Sequence, residues 1–231
     1  QNNIILIEDN CESFGAHVNG LYCGTWGLIG TLSFFYSHHI TTMEGGCILT
    51  NDDTLADYSR VLRSHGWIRD IKDKEKKYRT GNDFKDKFRF ILPGYCVRPS
   101  ELNAAVGQVQ LTKWPMQIKK RLKNAKKFIS LFKDKNVSIP EFKINSTWFG
   151  FPLLCNTKKQ REKLIKSCKQ NGIECRPIVA GNFVEQPVIK KLNYKISGQL
   201  KNAKKIEDLG IFFGNDSRNL DVQLKKLSEL L

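Results

Sequence analysis

The chain has 231 residues, 40% of them apolar and 10% aromatic, enough for a real core in one large or two modest domains. Its net charge of +15 comes largely from helix-face lysines such as Lys119, Lys120, Lys123, Lys126 and Lys127, where solvated charge is the default. No RNA- or DNA-binding motif accompanies them, so nucleic acid is set aside in favour of steering an anionic ligand or of no electrostatic role at all. No apolar run approaches the roughly 20 residues that span a bilayer, and the first residues lack the layout of a signal peptide, so the reading is no membrane and a cytoplasmic location.

In chain order, Ile4 to Ile7 reads as a buried parallel-type strand with no room before it for a partner element. The N-terminal portion of a fold is therefore expected to be absent, leaving apolar surface around Ile5 and Ile7 uncovered. Strands are predicted at Thr31 to Tyr36 and Cys47 to Thr50, followed by a helix with Asn51 or Asp52 as its N-cap. Leu55, Tyr58, Val61 and Leu62 form its apolar face and Gly66 is placed to end it. Residues 68 to 89 read as a long polar loop, and Pro99 opens a helix through Leu102, Ala105, Val106 and Val109.

A second helix is predicted from Pro115, with Ile118, Leu122, Ala125, Ile129 and Phe132 as one buried stripe bridging two domains. Beyond it come a strand at Trp148 to Leu154, a helix at Arg161 to Lys169 ended by Gly172, and a strand at Ile173 to Pro177. A helix at Leu200 to Leu209 and a strand at Ile211 to Phe213 complete a small α/β unit. The cysteines at 11, 23, 47, 96, 155, 168 and 175 have no CxxC pair and no metal-ligand spacing, which points to reduced, mostly buried thiols and no metal.

Chemistry concentrates at the ends of strands. Ile7-Glu8-Asp9-Asn10-Cys11-Glu12 delivers acids to a strand's carboxyl end, the edge where open α/β sheets bind ligands. Asp9 there could pair with a protonated pyridine nitrogen, or merely cap a helix. Ser33-Phe34, His38-His39-Ile40-Thr41-Thr42-Met43-Glu44-Gly45-Gly46, Ser64-His65-Gly66-Trp67, Pro93-Gly94-Tyr95-Cys96-Val97-Arg98-Pro99 and Arg176 to Asn182 complete a constellation.

Together these segments resemble the DegT/DnrJ/EryC1/StrS sugar aminotransferase family of fold type I pyridoxal-phosphate (PLP) enzymes, in its 3-dehydratase branch. The resemblance implies an aspartate-aminotransferase-like α/β fold, with an incomplete large domain at 1 to 112 and a small domain at 113 to 231. It implies PLP and its amine form, pyridoxamine phosphate (PMP), as cofactor and a homodimer as the assembly. The reaction implied is C3 dehydration of a nucleotide-linked 4-keto-6-deoxyhexose, with L-glutamate as amino donor, in 3,6-dideoxysugar biosynthesis. GDP-4-keto-6-deoxymannose is the favoured substrate; a CDP-linked ketosugar, an aminotransferase reaction and a non-catalytic assembly subunit are the alternatives.

Position by position, the resemblance makes Asp9 the partner of the pyridine nitrogen, Ser33 a donor to the cofactor phosphate and Glu12 a neighbour of the ring. His38 stands where relatives keep the Schiff-base lysine. An imidazole moves protons, with an ordinary pKa of about 6.5, but cannot hold the cofactor covalently. His38 is therefore the expected acid/base, and His39, facing the other way on an extended segment, is the lesser candidate. Glu44 with Gly45 and Gly46 is expected to shape the turn under the cofactor. His65 is a substrate candidate or a helix-dipole contact; Arg98 and Arg176 bind substrate anions or form structural pairs. Cys96 replaces an asparagine that in relatives reaches the phosphate of the other subunit, and a thiol is a weaker donor. Gly214-Asn215-Asp216 lacks the histidine expected after Gly-Asn.

Overall fold

The computed structural model describes residues 3–71 and 78–231. It divides into two compact units, residues 1–114 and 115–231. In the first, β1 (Ile7–Asp9) pairs in parallel with β4 (Ile29–Ser33), which pairs antiparallel with β5 (Gly46–Leu49). Between β1 and β4, β2 (His17–Val18) and β3 (Leu21–Tyr22) form a hairpin whose Asn19 and Gly20 take φ of 48° and 83°. Such left-handed pairs suit a two-residue hairpin, a local turn signal that the longer apolar runs do not disclose.

The first strand lies later than expected. Ile4 to Leu6 precede it, although Leu6 still accepts a hydrogen bond from Leu28 at 2.9 Å. It is not buried either, because β1 has one strand neighbour; Ile5 is 67% exposed and Ile7 66%. The second strand ends at Ser33, since Phe34 already turns to bond Gly45 and Thr42.

Helix α1 (Asp53–Leu62) starts where Asp52 accepts from Leu55 N at 2.9 Å, and it buries Val61 against Ile68 and Ile71. Gly66 does not end it. The helix stops at Leu62, and Gly66, at φ 82°, closes a turn by donating to Val61 O. Within the expected loop lie a short 3₁₀ turn at Ile68–Asp70 and α2 (Asp83–Asp86); residues 72–77 of that loop fall outside the described residues.

The two helices expected on either side of Pro115 are one, α3 (Glu101–Phe132). A proline removes one N–H donor, and the ladder on both sides continues past it. At the start of α3, Ser100 N donates to Asn103 Oδ1 and Asn103 N to Ser100 Oγ, a reciprocal capping box.

In the second unit, β6 (Val137–Ser138), β7 (Gly150–Cys155) and β8 (Gly210–Gly214) form an antiparallel sheet. The helices α4 (Lys158–Gln170), α5 (Lys201–Leu209) and α6 (Asp221–Glu229) accompany it; α6 is additional to the sequence expectation. The buried stripe of α3 is centred on Ala125, Phe128 and Phe132, with Leu122 and Ile129 only flanking it. Phe128 stacks between Phe132 and Phe151 at 4.6 and 4.8 Å. The expected strand at 173 to 177 is a single bridge in which Arg176 and Phe212 exchange hydrogen bonds of 3.0 and 2.8 Å, and Pro177 has no N–H to extend it.

The cysteines are free, but only Cys155 and Cys168 are buried, a correction to mostly buried thiols; Cys96 is exposed. Among the described residues no helix is long and apolar enough to cross a membrane.

Gly66 tests the turn that carries His65. An added Cβ would strike the carbonyl oxygen of Leu92, at a φ that L-residues rarely adopt. Gly66→Ala should cost about 1–3 kcal/mol from backbone strain alone, read as a lower urea midpoint with an unchanged slope; an unaltered midpoint would contradict this turn.

Candidate active site

The site begins at the carboxyl ends of β1 and β4, where Asp9 lies opposite Thr31. Asp9 Oδ1 accepts from Cys11 N at 3.2 Å and from the Thr31 hydroxyl at 3.4 Å. The Cys11 thiol and N–H, with the Thr31 hydroxyl, outweigh a small desolvation and hold the Asp9 carboxyl below its ordinary pKa. Side chains two apart on a strand share a face, so Ser33 stands on the same face as Thr31, about 6.7 Å further along. Glu8, alternating to the other face, is structural: its carboxylate accepts from the N–H groups of Gly24, Trp26 and Gly27 at 2.6–2.7 Å.

The loop from β4 to β5 carries the histidines. Its ends are fixed by the pairing of Ser33 with Gly46 and by Phe34 N donating to Gly45 O at 2.9 Å. His38 N donates to Phe35 O, which folds the loop back until His38 Nδ1 lies 2.6 Å from Ser33 Oγ. His39 is 5% exposed and packs edge-on against Trp114, with ring centroids 5.6 Å apart. The two rings thus occupy different environments.

The second half of the loop is strained and clamped. Met43 adopts φ 70° and Gly45 φ 154°. The Asn103 side-chain amide donates to Thr42 O at 2.6 Å and to Glu44 O at 3.2 Å, while its oxygen is engaged by Ser100. Gly107, one turn along α3, lets the loop approach, since a Cβ there would meet Thr42 Cγ2 at 2.9 Å. Glu44 contributes its carbonyl to this turn, accepting also from the Thr42 hydroxyl, and its side chain is exposed.

The other candidates lie on separate pieces. Glu12 is exposed just after β1. His65, left-handed at φ 63°, donates its N–H to Tyr95 O at 2.7 Å; Ser64 bridges Cys96, and Val97 N donates to Arg63 O. One strip of backbone therefore carries His65, Cys96 and Arg98, all exposed. Arg176 belongs to the second unit, where its guanidinium lies 4.9 Å over the Phe212 ring. Sequence reasoning missed Thr31, Asn103 and Trp114. Ser100-x-x-Asn103 after Pro99 was the available signal for the clamp.

The family model for DegT/DnrJ/EryC1/StrS aminotransferases matches residues 1–214. The chain belongs to this family. It is 43% identical, over 99% of its length, to GDP-4-keto-6-deoxy-D-mannose 3-dehydratase of Yersinia pseudotuberculosis, of which it covers 60%. A solved GDP-4-keto-6-deoxymannose-3-dehydratase with a trapped PLP-glutamate geminal diamine superposes with a TM-score of 0.95 at 41% identity, covering 100% of this chain and 61% of that one. A mutant of that enzyme with bound GDP-perosamine gives a TM-score of 0.94 at 41% identity, covering 99% and 61%. The fold is that of the PLP-dependent aminotransferases, and the chain spans about three fifths of the length of these relatives.

The Asp9 cluster predicts a direction with pH. A lowered native pKa favours folding above the unfolded-state value near 3.9, and that contribution disappears as pH falls through the native value. Thr31→Val should move the Asp9 pKa upward in a carboxyl-carbon NMR titration; no movement would show that Thr31 does not hold the carboxylate.

Proposed function

We propose that this chain forms the greater part of a PLP/PMP-dependent 3-dehydratase acting on GDP-4-keto-6-deoxymannose, with L-glutamate as amino donor. The observation that carries the reading is His38. An imidazole hydrogen-bonded to Ser33 stands at the carboxyl end of the sheet, on a loop whose family relatives carry a lysine, and an ionised Asp9 lies on the same edge. The similarity to 3-dehydratases, one holding a PLP-glutamate adduct and another a GDP-linked sugar, supports the same reading.

The residues present fit the cofactor. Asp9 is exposed, with its carboxylate held in the charged form that a pyridinium needs. The Ser33 hydroxyl and the His38 ring stand further along the same face. When bound, the pyridoxamine form supplies a primary amine for the C4 ketone and a ring that accepts electron density.

Asp9 would keep the ring nitrogen protonated by charge pairing. Ser33 would donate to phosphate and orient His38 by the same hydroxyl. With Nδ1 committed to Ser33, Nε2 is the nitrogen that would accept a proton and return it to the C3 hydroxyl oxygen as it leaves as water. No lysine at position 38 means no covalent capture there. We assign His65, Arg98 and Arg176 to the nucleotide-sugar, Glu12 and Cys96 to the cofactor's surroundings, and a homodimer to the working enzyme. A boundary near residue 112 between the large and small domains belongs to the same reading.

Two experiments test it. Borohydride reduction of the chain with PLP should label no lysine, and labelling of a single site lysine would remove the basis for the dehydratase reading. In a chimera with the preceding segment of the Yersinia relative joined before Gln1, His38→Asn should lower 3-deoxysugar formation by about 10²-fold or more. His39→Asn should cost much less. Equal single-turnover rates for the parent and the His38→Asn variant would make His38 structural.

A further inference from the structure

Strand alternation gives the sheet of the second unit two unlike faces. Phe151, Leu153, Ile211 and Phe213 face the buried core, whereas Phe212 stands on the other face, opposite Pro152 in the register of β7 with β8. Its ring has room there because residue 150 is a glycine: an added Cβ would strike Phe212 Cζ and Cε1. Phe149 flanks the ring, with centroids 6.1 Å apart. A cation lies over it, the Arg176 guanidinium carbon being 4.9 Å from the ring centroid. Two backbone hydrogen bonds, Arg176 N to Phe212 O at 3.0 Å and Phe212 N to Arg176 O at 2.8 Å, hold the residues side by side.

Arg176 differs from the other arginines of this unit. Arg121 donates to buried carbonyls, Arg161 Nε donates to Gly210 O at 2.9 Å and Arg218 Nε to Asp216 at 2.7 Å. Arg176 is exposed, and among the described residues its guanidinium makes no hydrogen bond or ion pair. A guanidinium free in solvent must be immobilised when it takes a ligand, which lowers affinity by about three- to tenfold. Stacking on a ring restricts the group beforehand through its π face and spends none of its N–H donors. Those donors then remain for an oxyanion, which a guanidinium grips through two parallel N–H bonds.

We propose that Phe212 is a positioning residue: its ring, seated over Gly150, orders the Arg176 guanidinium in advance so that its N–H donors meet an oxyanion of the substrate. This rests on the reading that Arg176 serves an anionic substrate. It adds the residue that acts through Arg176, and it accounts for a large ring on the sheet face turned away from the core. A phenylalanine that only filled space there could be replaced by an aliphatic residue; one that orders a cation needs its π surface.

The test titrates pyrophosphate into the chain and follows the Arg176 side chain by NMR, its Nε–Hε signal being assigned by its loss in Arg176→Lys. In the parent, the ring should shift the Arg176 side-chain protons upfield, and pyrophosphate should move the Nε–Hε signal saturably. Phe212→Leu should abolish the upfield shift and weaken pyrophosphate by about three- to tenfold. Phe212→Tyr keeps the π surface, so it should keep the shift and stay within about twofold of the parent. Amide spectra report folding of each variant, and Phe212→Met, which keeps the volume without a π face, repeats the comparison where Phe212→Leu does not fold. Absence of a pyrophosphate response at Arg176, or equal affinity in the parent and the variant without the ring, overturns the proposal. So does a Phe212→Tyr variant that binds as weakly as Phe212→Leu, which would make the ring simple packing. L-Glutamate is titrated in the same way: binding at Arg176 tighter than that of pyrophosphate, with the Phe212 dependence intact, counts against assigning Arg176 to the nucleotide-sugar and leaves the role of Phe212 standing.

Discussion

The position of His38 depends on one closure. β4 and β5 are antiparallel with Ser33 opposite Gly46, so a loop of intervening residues must leave and return at nearly the same point. Closing a loop costs entropy that grows only slowly with its length, but holding it in one conformation needs specific contacts. These are the Ser33 and His38 hydrogen bond on one side and the Asn103 amide on the other. Asn103 uses both ends of its amide, gripping the capping turn of α3 with its oxygen and the loop with its nitrogen. That grip stabilises Met43 in a left-handed conformation which a bulky residue would otherwise avoid.

A different device organises the second unit. Arg121 is 4% exposed on α3, and its guanidinium donates to the carbonyl oxygens of Asn215 at 2.8 Å and Trp148 at 3.2 Å. Burial lowers its pKa to about 10, opposed by the charge of Asp216, so it remains a cation at neutral pH. Asn215 completes the network by donating to Trp148 O and accepting from Asn124. The Gly214-Asn215 pair is thus explained by its own hydrogen bonds: Asn215 fastens the end of β8 to α3 and to the start of β7. A cation buried among carbonyl dipoles fixes one register of those elements, because any slip would leave it unpaired.

Strong local signals were legible in the sequence. The apolar spacing at 53 to 62 with Asp52 ahead of it defines α1, and the aromatic and aliphatic run at 148 to 154 defines β7. Boundaries set by tertiary contact were not. β4 stops at Ser33 because the loop folds back there, although Phe34-Phe35-Tyr36 has the composition of a strand. Pro115 reads as a breaker, yet one missing N–H does not interrupt a helix whose following turns are anchored by the buried Arg121, Asn124, Ala125, Phe128 and Phe132. The histidine site was legible only as residue types in a pattern. The bond that pairs His38 with Ser33, five positions apart, comes from the loop's return and has no periodic signature.

That bond also restricts what the imidazole can do. A serine hydroxyl has one proton to give and can accept from another donor at the same time. If Ser33 gives its proton to His38 Nδ1, the ring's own proton resides on Nε2, which makes the outer nitrogen a hydrogen-bond donor. If Ser33 gives its proton to a neighbouring anion, Nδ1 becomes the donor to Ser33 and Nε2 becomes a base. Occupation of the site by a phosphate would therefore select the basic tautomer without moving the ring. A lysine at the same position has no second nitrogen through which such a choice could pass.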